Sequence, residues 1–119
     1  MNDYKELVVW QLAVDLAVEV YEVVKKFPNE ERYGLVDQMK RSAVFIASNI
    51  AEGAGRFSKK DYAHFLNIAI GSACELETQL IIATKVGFVD DPVSASLSEE
   101  ITRIRKMLFK LRASLLANH

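Results

Sequence analysis

The sequence is short of the residue types that most often announce a function. It holds one cysteine, Cys74, so no internal disulfide can form and no oxidising compartment is called for. Its two histidines, His64 and His119, are far apart. That leaves neither a His-x-x-x-His pair nor a Cys/His cluster, and no metal site is expected. An excess of one charge is missing as well. Against 15 Lys+Arg stand 16 Asp+Glu, giving a net charge of −1 and a pI near 6.1, which excludes a strongly basic nucleic-acid-binding domain. No uncharged stretch reaches the roughly 20 apolar residues of a membrane span. The opening Met1-Asn2-Asp3-Tyr4-Lys5-Glu6 lacks the basic region and cleavage site of a signal peptide. We therefore expect no membrane partner and a cytoplasmic location.

Glycine and proline are scarce too, at five and two in 119 residues, and they fall where they divide the chain. Pro28, the Gly53-Ala54-Gly55 cluster, and Gly87 followed by Asp91-Pro92 separate segments of helical length. In the first, Gln11, Asp15, Glu19, Glu22 and Lys26 draw one narrow polar stripe on an otherwise apolar helix. The second is predicted to start at an Asn29 N-cap with Glu30 and Glu31 in its first turn, and to run to Glu52 before Gly53 stops it. Ser58 with Asp61 forms a short capping box for the third, which continues to Val86 with Gly87 as its C-terminal stop. Asp91-Pro92 and Ser96-x-x-Glu99 are alternative starts for the fourth.

Short connections make successive helices antiparallel, so the predicted fold is all-α: a single-domain, up-down four-helix bundle over residues 1–119. On the fourth helix Leu97, Ile101, Ile104, Leu108, Leu111 and Leu115 fall within about 80° of one another and define its core face. The third helix is apolar nearly all round and is expected to be buried on most sides. The first carries more apolar surface than two neighbours within a bundle can cover, which implies subunit contacts.

Catalytic chemistry finds no support, and neither an enzyme nor a cofactor is expected. Cys74 among Ser72, Ala73 and Leu76 reads as a small buried thiol, and His64 is about 15 Å away along the same helix. Glu75 and Glu77 point roughly 200° apart and cannot act as an acid/base pair. The polar residues Arg41, Asn49, Glu52, Glu75 and Gln79 are read as contacts that set helix register, with a functional polar groove as the alternative. A turn centred near Arg56 would put Arg41 one turn from Glu75 and Glu52 beside Lys60, as two ionic links within the subunit.

Two basic features remain. In Gly53-Ala54-Gly55-Arg56-Phe57-Ser58-Lys59-Lys60, glycines, free N–H groups at a helix start and three cations suit an anion such as phosphate. The same residues also suit a capped turn with solvated charges. On the fourth helix Arg103, Lys106 and Lys110 lie within about 60° of one another, opposite the leucines. They either complement the helix dipole or track phosphates.

The runs Gln38-Met39-Lys40-Arg41-Ser42-Ala43-Val44, Asn49-Ile50-Ala51-Glu52-Gly53-Ala54-Gly55-Arg56 and Glu75-Leu76-Glu77-Thr78-Gln79-Leu80 carry a resemblance. With Val9-Trp10 and Phe27-Pro28, they resemble the bacterial four-helix-bundle proteins encoded in intervening sequences of the large ribosomal RNA gene. The chain departs from them at Phe45, where relatives carry a small polar residue, and at Lys40, where Arg is common. The resemblance implies a homopentamer. It extends to the accessory variability protein of diversity-generating retroelements, a basic pentameric barrel that binds nucleic acid and works with a reverse transcriptase. The function so implied is non-enzymatic binding of ribosomal or other structured RNA, with a reverse transcriptase or another protein as a further partner. The expected contacts are Lys40, Arg56, Lys59, Lys60, Arg103, Lys106 and Lys110, with Arg41 held by Glu75. The alternative is a ring-forming protein-interaction scaffold that binds no nucleic acid.

Overall fold

The computed structural model describes residues 3–117; Met1, Asn2, Asn118 and His119, with what the sequence suggests of them, lie outside the described residues. Four α-helices follow one another: α1 (Val8–Val24), α2 (Leu35–Ala54), α3 (Lys59–Lys85) and α4 (Asp91–Leu116). Single 3-10 turns at Tyr4–Glu6 and Asn29–Glu31 precede α1 and α2, and there is no strand among the described residues.

Local chemistry sets most helix ends. Ser58 Oγ accepts from the Asp61 N–H at 3.0 Å and opens α3, so one otherwise unsatisfied donor is capped. At its other end Gly87 turns with φ +88°. The Phe88 N–H reaches the Ala83 carbonyl at 2.9 Å and the Gly87 N–H that of Thr84 at 3.1 Å, the two bonds of a Schellman stop. For α4 the Asp91-Pro92 start holds and the Ser96 start does not. Asp90 Oδ1 accepts from the Val93 N–H at 3.0 Å, and Pro92 sits in the first turn, where its missing N–H costs nothing.

The second helix differs from expectation at both ends. Asn29–Glu31 makes only a 3-10 turn, and the α-helix begins at Leu35, after Gly34; a glycine in the first turn weakens helix propagation enough to break it. Gly53 does not stop the helix. It lies buried inside α2, where an added Cβ would stand 2.9 Å from Phe65 Cβ and 3.1 Å from the Tyr62 carbonyl oxygen. Its place is dictated by the close approach of α2 to α3. The same burial pushes the Tyr62 phenol pKa up from its ordinary value.

The helices pack as an antiparallel bundle 48 × 22 × 20 Å in extent. Side-chain bonds from Thr84 to Ser94, Arg105 to Glu77 and Arg112 to Asn67 pair rising positions on α3 with falling ones on α4. Ala13, Leu16 and Val20 of α1, Met39, Ile46 and Ile50 of α2, and Leu66, Ala73, Leu76 and Leu80 of α3 share one core with α4. From α4 the expected Leu97, Ile101, Ile104 and Leu108 are buried, and Leu111 and Leu115 pack partly against them.

Two burial expectations fail on α3. Its length and composition would let it cross a membrane, yet it packs in the bundle with Ile68, Ile81 and Ile82 exposed rather than being buried on most sides. Cys74 is exposed too, not a buried thiol. The reason is shared: α2 and α4 cover two faces of α3, and within one chain nothing is left to cover the third.

Candidate nucleic-acid interface

The α2–α3 turn presents its basic residues at one end of the bundle. Gly55 closes α2 with φ −84°, an ordinary helical value, and its N–H bonds back to the Ala51 carbonyl at 3.2 Å. The turn therefore needs no left-handed glycine. Arg56 is held down: its guanidinium lies 4.5 Å from the centre of the Phe65 ring and 3.8 Å from the Glu52 carboxylate. Lys59 and Lys60 extend from the first turn of α3 into solvent, and neither has a carboxylate within 4.0 Å among the described residues. Their backbone N–H groups add to the partial positive charge of the helix start, while Asp61 in the same turn offsets part of it.

The other cations do not join this cluster. Arg103 on α4 pairs with Glu100 at 3.6 Å, and Lys106 lines the same shallow surface as Glu99 and Glu100, so that end of the basic face is largely neutralised. Lys110, one to two turns further on, is exposed with no such partner among the described residues. By the α3–α4 pairing it stands level with Ile70, about 17 Å down the bundle from Lys59. Lys40 is remote from the turn. Its ammonium lies over the Tyr21 ring at 4.8 Å in the groove between α1 and α2, about 24 Å along α2 from Arg56.

The register-setting polar contacts expected from the sequence are not the ones that form. Arg41 pairs with Asp37 on its own helix at 4.0 Å, not with Glu75, and Glu52 pairs with Arg56 and not with Lys60. Asn49 Nδ2 donates to the Phe45 carbonyl one turn back at 2.8 Å, and the buried Gln79 Oε1 has no hydrogen-bond partner. Register separates Glu52 from Lys60 but does not separate Arg41 from Glu75. The contacts of Gly53 with Tyr62 and Phe65 centre the α2–α3 pairing near Ser58 rather than Arg56, a shift of about one helical turn. That shift brings Arg41 level with Glu75, yet an exposed side chain finds an i,i+4 partner at less entropic cost than one across a seam.

Sequence reasoning counts Arg105 and Arg112 among the cations of the fourth helix and Phe57 within the basic turn, but assigns none of the three a partner or a role. Arg105 makes the one ion pair between helices among the described residues, at 2.9 Å to Glu77, both about a quarter exposed. That hydrogen bond holds the Arg105 pKa above its ordinary value. Arg112 bonds to Asn67 at 2.6 Å and covers the Phe109 ring at 4.8 Å. Phe57 stands entirely in solvent inside the basic turn; its signal was an aromatic residue between Arg56 and Lys59 with no apolar neighbour in sequence.

Across the bundle, α1 and α2 leave an open apolar groove of about 600 Å³ lined by Trp10, Val14, Val18, Tyr21, Val44 and Ala47. This is where the apolar surplus expected of the first helix lies.

The 23S rRNA-intervening sequence protein family matches residues 5–110 of the chain. Among solved structures, the chain is similar to a protein of unknown function from the S23 ribosomal protein family of Bacteroides thetaiotaomicron. The two share 27% identity and superpose with a TM-score of 0.82, over 88% of this chain and 95% of the other. No curated protein matches.

Proposed function

Because the chain belongs to the 23S rRNA-intervening sequence protein family, we propose that it is a non-enzymatic, cytoplasmic, homopentameric protein that binds structured RNA through its basic turn. The observation that carries this reading is the pair Lys59 and Lys60, exposed, without carboxylate partners among the described residues, and set at the start of α3. A ring repeats such a patch once per subunit, so modest local charge sums to a field that a net charge of −1 does not suggest. Lys110 extends the surface along α4; Arg103 and Lys106 contribute less because of Glu99 and Glu100. The α1–α2 groove supports the assembly, since an apolar surface of that kind is usually covered by a partner.

The test is a titration of labelled structured RNA with nuclease-treated protein at several salt concentrations, followed by anisotropy. Affinity should fall linearly on logarithmic axes, with a slope of about −0.9 for each duplex phosphate contacted. Lys59→Glu with Lys60→Glu should abolish binding without changing sedimentation. Absence of binding at low salt would overturn the reading. A second reading, a scaffold that docks a protein or a reverse transcriptase and no nucleic acid, is favoured by the groove alone and would then take its place.

A further inference from the structure

Two aromatic side chains stand almost wholly in solvent, at opposite ends of α2: Tyr33 is 87% exposed and Phe57 103%. Neither contributes to the core, because the stabilisation an aromatic ring offers comes from burial. Their surroundings differ in sign. Tyr33 follows Glu30 and Glu31 and precedes Asp37, and its nearest cation, Arg32, lies 5.8 Å from the ring centre. Phe57 lies between Arg56 and the pair Lys59 and Lys60. The nearby Glu52 is engaged by Arg56, and Arg56 itself is turned onto Phe65. The Phe57 ring is left bare, two and three residues before lysines that have no carboxylate within 4.0 Å among the described residues, with Asp61 as the one acid in the following turn.

We infer that Phe57 is a stacking platform for an unpaired nucleobase, with Lys59 and Lys60 taking the phosphates on either side; this rests on the nucleic-acid reading above. Every base offers a π face to an aromatic ring, and the phosphates that accompany it require cations at the ring's edge. The Phe57 end, where Arg56, Lys59 and Lys60 outnumber Glu52 and Asp61, meets both requirements, whereas at the Tyr33 end Glu30, Glu31 and Asp37 outnumber Arg32 and repel phosphates. A paired duplex hides its base faces. The ligand is therefore a loop, bulge or single-stranded segment of RNA rather than a continuous helix.

The experiment uses the full chain with two fluorescein-labelled RNAs of equal length and charge, a hairpin with an unpaired loop and a perfect duplex. Phe57→Ala should weaken loop binding about tenfold while leaving duplex binding and sedimentation unchanged. Phe57→Trp should retain affinity, and its indole fluorescence should fall as loop RNA is added. Tyr33→Ala should have no effect. If Phe57→Ala binds the loop normally while Lys59→Glu with Lys60→Glu does not, the stacking role is overturned and the nucleic-acid reading survives. Stacking is overturned in the same way if hairpin and duplex bind the unsubstituted protein equally, or if Phe57→Ala changes sedimentation alone, which would put the ring against another copy. An unsubstituted protein that binds neither RNA removes both.

Discussion

The seam between α3 and α4 and the face shared by α1 and α2 are built on opposite plans. Along α3–α4, polar side chains reach across at three levels: Thr84 to Ser94, Glu77 to Arg105 and Asn67 to Arg112. The hydrogen-bonding needs of that side are met within one chain. Along α1–α2 no side-chain hydrogen bond or ion pair crosses among the described residues, Lys40 only lying over the Tyr21 ring, and Val18, Tyr21 and Val44 stay exposed beside the groove. A surface finished with polar ties is at home in water, whereas an apolar groove gains free energy from being covered. The two sides thus differ in what they need from outside the chain.

Between them lies the α2–α3 seam, held by close packing at Gly53, and it is there that the largest effect is expected. Gly53→Val drives a branched side chain against the Tyr62 carbonyl, which backbone cannot evade. Urea unfolding should report a loss of about 3 kcal/mol. A smaller effect probes the polar side. Arg105→Met and Glu77→Gln, made singly and together, should give a coupling of about 1.5 kcal/mol in a double-mutant cycle; a coupling near zero would erase the contrast between the seams. The smallest change in folding belongs to the apolar face. Val18→Asp with Tyr21→Asp should alter stability by about 0.5 kcal/mol or less, yet leave only the 13.4 kDa species in native mass spectrometry. Retained assembly would show that copies meet elsewhere.

Much of the fold was legible because its signals are local. Ser58, Gly87 and Asp91-Pro92 mark helix ends through bonds to neighbours one turn away, and the leucine stripe of α4 follows from helix period alone. The candidate site was legible only as composition. Lys59 and Lys60 cluster because they are adjacent in sequence, and the pairing of Arg103 with Glu100 is equally local, but the seating of Lys40 over Tyr21 depends on where another helix lies. Phe57 was given no role for the same reason. An apolar residue in a turn gives no sign, before the chain is folded, of whether a neighbour will cover it.

By itself the sequence determined four helices, their antiparallel order and the core face of α4, since propensity, capping and periodicity act over a few residues. Tertiary structure alone decided the α2–α3 register, which turns on how closely Gly53 lets two backbones approach. It also decided that Glu77 and Arg105 would meet and that Glu52 and Lys60 would not. Those outcomes are differences between contacts of similar strength, and only the distances between packed helices choose among them.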